Sequence, residues 1–408
     1  MTGSTRGSIL TAVTFYFQVH QPYRLLRPGR KRKAPRRPGD LFDRKENERI
    51  CRRVAARGYA RTNRILLRAI DETEGAFRCA FSISGTALRQ LEEWAPEALD
   101  TFVQLAETGA VEFLAETSMH SLACFGDAPE FEEQIRTHQD RVEALFGRRP
   151  TTFRNTECIL SEPIARTAER LGFQAILGEG IETLLKGRNP HELWRPRGCE
   201  RIVTLLRDYR FSDDIAFRFS NREWEHYPID AKRFAGWLRA VPSSDPFVGL
   251  FMDYETFGEH QGDDTGILDF LAWLPRHVLE DDDRDPEDRV TFATPHEVTT
   301  RFAPLGELKI DRPVSWADAE RDVSAWLGNP MQNDAHKALY AALPKLQSDA
   351  ELVDAWRLLS TSDHVYYMCT KRRSDGDVHD YFSPYFGPHD AYVLFVRAIE
   401  ALCDLGGV

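Results

Sequence analysis

Short apolar segments, rich in β-branched and aromatic residues, recur along the chain before about residue 303 and predict strands. They cover residues 9–19, 77–83, 110–115, 151–155, 173–178, 202–208, 247–252 and 290–294. Because these strands are apolar throughout and alternate with helical segments, they indicate βα units around a parallel sheet. Seven or eight such units predict a closed α/β barrel, whose active site lies at the carboxyl ends of the strands.

Helical periodicity fills several intervals between these strands. A stripe of leucine, valine and alanine side chains predicts a helix over residues 87–108, and a similar stripe predicts one over residues 131–146. Ser161 is the expected N-cap of a third helix, which begins at Glu162 and ends near Gly172.

The pattern changes after about residue 303, where strand-like alternation stops. Helices are predicted over residues 316–327, 330–343, 349–361 and 388–405. The sequence therefore predicts two parts. Residues 1–303 form the barrel domain, and residues 304–408 form an α-helical region that packs on the barrel and completes its cleft.

The amino-acid composition argues against several classes of protein. Hydrophobic residues make up 42% of the 408 residues, which is enough for a large core. There are 64 acidic and 53 basic side chains, and the net charge of −11 argues against a nucleic-acid partner. No apolar run is long enough to span a bilayer, so no membrane partner is expected. The basic stretch 24–37 and the acidic stretch 280–288 are interpreted as solvated loops.

The cysteines and the first apolar run indicate a cytoplasmic protein. The seven cysteines are widely spaced and include no CxxC pair, as in proteins whose thiols stay reduced. The run over residues 9–17 follows Arg6, but no small-residue cleavage site comes after it. We therefore interpret this run as a buried strand rather than a secretion signal.

Several predicted strands end in polar, titratable residues. The first strand runs into His20, and the third carries Glu112 and Glu116 on one face. The fourth leads to Arg154 and, three residues later, Glu157. A carboxylate between apolar residues is costly unless it is paired or functional, so these positions are candidates for a site.

The strongest local signal lies in segment 247–260, where an apolar strand ends abruptly at Asp253. Tyr254, Glu255 and His260 follow it. Aromatic rings beside carboxylates suit a sugar substrate, because rings stack on the apolar faces of sugars while acids bind hydroxyl groups. A metal site is the competing interpretation, although the spacing matches no compact ligand motif.

Five motifs in this chain follow the order of the five sequence regions of glycoside hydrolase family 57. They are His20-Gln21-Pro22, residues 116–120, Thr156-Glu157, residues 253–258 and Ser315-Trp316-Ala317-Asp318. The chain resembles that family from about residue 9 to its end, and it is most similar to the group of short α-amylases. Three further segments are similar to that group, at residues 326–329, 361–364 and 380–385.

This resemblance implies a (β/α)7 barrel followed by a helical region, and a retaining hydrolysis of α-1,4-glucans that needs no metal or cofactor. It implies that Glu157 is the nucleophile and that Asp253 is the general acid/base. It also implies a substrate site that includes His20, Glu116, His120, Trp316, Asp318 and Asp363. Arg154 and Tyr254 also belong to this predicted site, because they lie in the strand-end segments described above. The chain departs from the family pattern at two places. Ser118-Met119 stand where aromatic residues are common, and Cys158 stands where an aliphatic residue is usual; both departures could change the shape of the substrate site and therefore substrate preference.

Elementary chemistry agrees with these roles. A retaining glycosidase needs two carboxyl groups in opposite protonation states, about 5–5.5 Å apart. Glu157 and Asp253 end the fourth and seventh predicted strands, which face each other across a small barrel. Arg154 is expected to lower the pKa of Glu157, whereas Glu255, Glu157 and an apolar wall are expected to raise that of Asp253.

The sequence leaves several alternatives open. An α-glucan transferase, a branching enzyme or an α-galactosidase would use the same catalytic residues on a related substrate. A metal-dependent polysaccharide deacetylase also uses a seven-stranded barrel, with Asp and His ligands. A catalytically inactive glucan-binding protein would lack Glu157 or Asp253, and both are present. The expected partner is an α-glucan, and the pattern carries no signal for oligomeric state.

Overall fold

Seven parallel strands form the barrel of this protein. The computed structural model describes residues 10–27, 34–280, 289–372, 378–379 and 381–407. In these residues the strands are β1 (Ala12–Val19), β2 (Cys79–Ile83), β3 (Val111–Phe113), β4 (Thr152–Phe153), β5 (Ala175–Glu179), β6 (Trp194–Pro196), β7 (Val203–Arg207), β8 (Phe247–Asp253), β9 (Thr291–Phe292) and β10 (Gly306–Leu308). All eight strands predicted from the apolar pattern are present, so this part of the prediction is confirmed.

The strand pairing runs around the barrel in the order β1-β2-β3-β4-β5-β7-β8 and returns to β1. The step from β3 to β4 is an isolated parallel bridge between Ala115 and Phe153. Its backbone hydrogen bonds are 2.9 and 3.1 Å long. Strand β4 is thus the fourth and β8 the seventh of the ring, and they lie on opposite sides of the mouth.

The remaining three strands lie outside this ring. Strand β9 pairs with the beginning of β1, while β10 pairs in parallel with β6, which bridges to β7. The sequence pattern did not predict β6 or β10, because three residues are too few to show alternation. The absence of strands after residue 303 was therefore a wrong expectation.

Strand β1 shows why the strands are apolar on both faces. All eight of its residues are buried. Val13, Phe15 and Phe17 pack with the surrounding helices, whereas Ala12 and Tyr16 belong to a smaller cluster formed mainly by the strands inside the barrel. A strand covered on two sides gains stability from apolar residues at every position.

The helices surround the barrel and continue beyond it. They are α1 (Arg44–Val54), α2 (Ala60–Glu72), α3 (Gly85–Trp94), α4 (Pro96–Glu107), α5 (Ala128–Phe146), α6 (Glu162–Arg170), α7 (Glu182–Leu185), α8 (Tyr209–Asp213), α9 (Ala231–Arg239), α10 (Ile267–Leu279), α11 (Pro295–Arg301), α12 (Ser324–Leu327), α13 (Pro330–Leu346), α14 (Ala350–Leu359), α15 (Asp363–Tyr366) and α16 (Pro388–Gly406). No described helix is both long and apolar enough to cross a membrane.

Local sequence signals explain several helix ends. The helix expected over residues 87–108 is two helices, because Pro96 begins α4 and Ala95 between them leaves the helical conformation. Ser161 caps α6 as predicted, accepting a hydrogen bond from the backbone of Ile164. The helix expected over residues 316–327 was wrong except for its last turn, α12.

The C-terminal helices α13, α14 and α16 pack against one another, and α14 and α16 also contact the short turn at Pro38–Leu41. Arg357 of α14 forms an ion pair with Glu130 of α5, with a shortest N–O distance of 2.8 Å. The pairing of β10 with β6 crosses the expected boundary between residues 303 and 304, and that boundary remains a prediction.

Two predicted features lie partly or wholly outside the described residues. They are residues 28–33 of the basic stretch and residues 281–288 of the acidic stretch. The cysteines are all within the described part of the chain, and none of the seven forms a disulfide.

Candidate active site

The turn after β4 presents Glu157 at the barrel mouth. Glu157 lies in a short 3-10 turn, Thr156–Cys158, with a φ of 57°, and Cys158 has a φ of 51°. Non-glycine residues in this left-handed region store backbone strain, which concentrates at functional sites. The Thr156 hydroxyl donates to the carbonyl of Ser121 over 2.7 Å and fixes the turn to the loop after β3.

Two nitrogen donors hold the Glu157 carboxylate. His120 Nε2 lies 3.0 Å from one oxygen, and the Trp316 indole Nε1 donates to the other over 2.6 Å. The Glu157 side chain is 23% exposed, so it remains reachable from the cleft. Burial acts to raise the pKa of Glu157, but the hydrogen bond and charge of His120, together with the charge of Arg154 and the hydrogen bond from Trp316, outweigh it, and the net shift is downward.

His120 is positively charged in this arrangement. Its Nδ1 lies 2.7 Å from a Glu116 oxygen, so both ring nitrogens face carboxylates. Burial opposes the charged ring, yet Glu116 and Glu157 raise the pKa of His120 to about 9. Glu116 is fully buried and ionised, because His120 overcomes the effect of its burial and lowers its pKa to about 2.

Arg154 acts on Glu157 through its charge, as the sequence analysis expected. Its guanidinium is fully buried, lies 4.6 Å from the centroid of the Trp316 ring, and comes within 3.8 Å of Glu116. It lowers the pKa of Glu157 through its charge, after the larger contribution of His120. His120 adds a direct hydrogen bond to Glu157, which the sequence analysis did not predict.

Asp253 is the last residue of β8, across the mouth from the Glu157 turn. Burial and the negative charge of Glu157 raise the pKa of Asp253 to about 6, although Arg154 and His120 act in the opposite direction. The site thus holds one carboxyl group that ionises readily and one that keeps its proton up to a pH of about 6. This is the division of states that sequence reasoning anticipated.

Glu255, which the sequence analysis named only as a charge near Asp253, lies in a buried network of hydrogen bonds. It is buried and accepts hydrogen bonds from the Tyr59 hydroxyl and, over 3.3 Å, from the backbone of His20. Burial and the nearby charge of Asp253 raise the pKa of Glu255 to about 8. The hydrogen bonds of Glu255 to Tyr59 and His20 could not be predicted, because both partners are far from it in sequence.

His20 connects the barrel to the C-terminal helices. Its Nδ1 lies 2.7 Å from the Ser84 hydroxyl and its Nε2 lies 2.8 Å from Asp363. Its ring stacks on His120 with a centroid distance of 3.9 Å. Burial and the charge of His120 lower the pKa of His20. The stacked pair is therefore one charged ring and one neutral ring.

A buried ion cluster fixes the loop that carries Trp316. Arg321 donates to the carbonyl of Trp316 over 2.6 Å and to Asp213 over 2.7 Å. Arg207 of β7 joins the same cluster through Asp213 and Glu179. The expected helix is absent here because these ionic contacts hold the loop, in which Arg321 has a φ of 52°.

Two residues of the predicted site do not face the cleft. Tyr254 is fully buried among aromatic rings, and its hydroxyl donates to Asn63 over 2.6 Å. Asp318 has a 3% exposed side chain that bonds to Lys371 and His379. Both residues support the scaffold, which corrects the expectation that they contact substrate.

Three side chains around Asp318 are close enough together to resemble a metal centre. Ligand atoms of Asp318, Cys369 and His379 lie within 4.8 Å of one another. However, the Lys371 ammonium lies 2.7 Å from the Asp318 oxygen, where it already supplies a positive charge. This donor set is explained as an ion-pair cluster and does not fit a metal.

The hydrogen bond from Trp316 gives a prediction about the loop. The substitution Trp316→Phe keeps a ring but removes the donor, so we expect kcat to fall about tenfold to a hundredfold. The acid limb of the pH profile should move upward, because Glu157 loses a donor that favours its charged form. Steady-state kinetics across pH, with thermal unfolding as the control, measure both effects. A lower Tm with unchanged kcat would instead assign Trp316 a packing role.

Comparison with known proteins agrees with this architecture. The family model described as Glycosyl hydrolase family 57 matches residues 14–311. A protein of Methanocaldococcus jannaschii named "Putative alpha-amylase" is 39% identical over 405 residues, which cover 95% of this chain and 83% of that protein.

Two solved structures share the fold. A 4-alpha-glucanotransferase from Thermococcus litoralis superposes with a TM-score of 0.66 at 15% identity. The alignment covers 87% of this chain but 56% of that enzyme. A GH57 branching enzyme from Thermococcus kodakaraensis gives a TM-score of 0.66 at 12% identity, covering 96% of this chain and 90% of that one. The likeness confirms the (β/α)7 barrel with its helical region, and the family match shows that the chain belongs to glycosyl hydrolase family 57.

Proposed function

We propose that this protein is a retaining α-amylase-like hydrolase of α-1,4-glucans, with Glu157 as nucleophile and Asp253 as general acid/base. The observation that carries the proposal is the pair of carboxyl groups with opposite pKa shifts on opposite sides of the barrel mouth. The name of the M. jannaschii relative supports the substrate class. Starch or glycogen fits this class, and the seven unpaired cysteines support a cytoplasmic location.

In the first step, Asp253 gives its proton to the glycosidic oxygen as the bond from that oxygen to the anomeric carbon breaks. A Glu157 oxygen bonds to the anomeric carbon from the opposite face and forms a glycosyl ester. In the second step, the Asp253 carboxylate takes a proton from water, whose oxygen bonds to the same carbon and releases Glu157. Two inversions return the original α configuration.

The donors to Glu157 act in both steps. His120 and Trp316 orient the carboxylate before attack, since each binds a different oxygen. When water releases the sugar, the same donors stabilise the negative charge that returns to the carboxylate. Glu116 keeps His120 charged and correctly oriented, so it is a positioning residue.

Transfer to a sugar hydroxyl is the second candidate function. Both solved structures described above are named as enzymes that rearrange glucans, and they share this fold. The two candidates differ in whether water or a sugar hydroxyl attacks the glycosyl ester. Product analysis on starch and maltooligosaccharides separates them, because hydrolysis increases reducing ends whereas transfer conserves their number.

A metal-dependent deacetylase would respond to a different test. Incubation with a chelator, followed by activity on starch and on an acetylated polysaccharide, distinguishes the two reactions. The proposed hydrolase keeps its starch activity after chelation. Release of acetate that stops with chelation would refute the proposal.

The two pKa shifts predict a bell-shaped pH profile. The substrate reacts when Glu157 is ionised and Asp253 is protonated, so kcat/KM should fall as pH rises through about 6. It should also fall at acid pH, below the usual range of a glutamate, because the pKa of Glu157 is lowered. Initial rates on maltoheptaose between pH 3 and about 9 test this expectation. Full activity at the alkaline end would show that Asp253 is not the acid.

A further inference from the structure

Two exposed aromatic residues lie beside the loop that follows Asp253. Tyr381 is 67% exposed and Phe382 is 44% exposed, although their rings contact each other at a centroid distance of 5.0 Å. The His260 ring contacts both, at 6.4 Å from Tyr381 and 5.5 Å from Phe382. Adjacent exposed aromatic residues are costly in water, and such patches mark binding surfaces.

The contact joins the two parts of the chain that form the cleft. His260 belongs to the loop after β8, and its backbone donates to the carbonyl of Glu255 over 2.8 Å. His379, two residues before Tyr381, bonds to Asp318 in the Trp316 loop. The rings of His260, Tyr381 and Phe382 therefore lie between two loops of the site. One loop follows Asp253, the proposed acid. The other carries Trp316, which donates to Glu157, and is linked to the aromatic pair through His379.

Packing on both sides gives the aromatic pair a fixed base. His379 stacks on Tyr366 with a centroid distance of 3.9 Å, and Tyr385 packs against Tyr367 at 5.6 Å. In the loop that carries His260, the backbone at Gly258 approaches the Arg57 carbonyl so closely that a side chain would not fit. A fixed base lets exposed rings bind a ligand with little loss of conformational entropy.

We propose that Tyr381 and Phe382, supported by His260, form a stacking platform for glucose units of an α-glucan chain outside the catalytic pocket. The proposal rests on the proposed function for its ligand class and extends it to a binding subsite. The face of an aromatic ring suits the apolar face of a sugar, and the two rings stand edge to face at 84°, so each would contact a different glucose unit of the chain. The platform would favour long glucans over short ones.

The test measures binding of maltoheptaose and maltotriose to variants that carry Glu157→Gln, so that the sugars are not consumed. Tyr381→Ala should weaken maltoheptaose binding about threefold to tenfold, which is the range expected for loss of one aromatic contact. Maltotriose binding should change less, because a short chain can occupy the catalytic pocket alone. Isothermal titration calorimetry gives both constants.

Two matched variants control for ring chemistry and for exposure. Tyr381→Phe keeps the ring and should bind like the parent. Trp273→Ala removes a 52% exposed ring from α10, where it stacks on His277, and should also leave binding unchanged. Equal maltoheptaose affinity in the parent and in Tyr381→Ala would overturn the platform, as would failure of the parent to bind maltoheptaose. Hydrolysis of starch by the wild-type enzyme tests the proposed function separately.

Discussion

The substitution Glu157→Gln should lower kcat on α-glucans by about 10⁴-fold or more while the fold persists. The amide has nearly the same shape but cannot form the glycosyl ester, because its oxygen lacks the negative charge needed for attack. The replacement also removes a negative charge beside His120 and Asp253. Consequently the pKa of His120 should fall, and that of Asp253 should move down toward the usual range of an aspartate.

Activity, thermal unfolding, and NMR of the imidazole and carboxyl groups measure these four effects. Glu182→Gln is the matched control, since Glu182 lies on α7 with a 64% exposed side chain and bonds to Tyr209 and Arg210. It should keep wild-type activity. Near-normal turnover by a clean Glu157→Gln preparation would rule out Glu157 as the nucleophile, whatever the NMR shows.

Strand positions were predictable because a barrel strand is covered on both faces. Strand β1 is apolar along nearly its whole length, and so its sequence differs from that of a helix or a solvated strand. The same reasoning fails for the loop at residues 316–323. Its apolar spacing resembles a helix, yet Arg321 draws the chain toward Asp213 and Glu179, which are more than 100 residues away in sequence.

The candidate site was also predictable only in part. The positions of Glu157 and Asp253 follow from where apolar strands end, and their opposite sides of the mouth follow from strand order. The contact of His120 with Glu157 could not be predicted, since it depends on a left-handed residue at His120 with a φ of 51°. Tyr254 was misplaced because adjacent residues after a strand can point to opposite sides, and its ring turns into the core.

The substitution Asp253→Ala should affect substrates according to their leaving group. A sugar leaving group needs a proton from Asp253, so kcat on maltooligosaccharides should fall by about 10²- to 10⁴-fold. An activated aryl maltoside needs little proton assistance and should still form the glycosyl ester. The ester should then accumulate, because water lacks its general base, and a rapid burst of the phenol should precede slow turnover. The fall in activity above pH 6 should disappear with the carboxyl group. Asp263→Ala, which removes an exposed partner of Arg61, is the control and should behave like the wild type.

The stereochemistry of the products tests the geometry of the pair. Azide is small enough to occupy the space left by the Asp253 carboxyl group and attacks without base assistance. Attack on the glycosyl ester inverts its configuration a second time, so the glycosyl azide should have the α configuration of the substrate. NMR of the fresh products reports the anomer. If the wild-type enzyme releases β-configured sugar, then water attacks the glucan directly, and Glu157 and Asp253 are not a retaining pair. Because direct attack requires room for a water molecule between the carboxyl groups, that result would also place them further apart than a retaining mechanism allows.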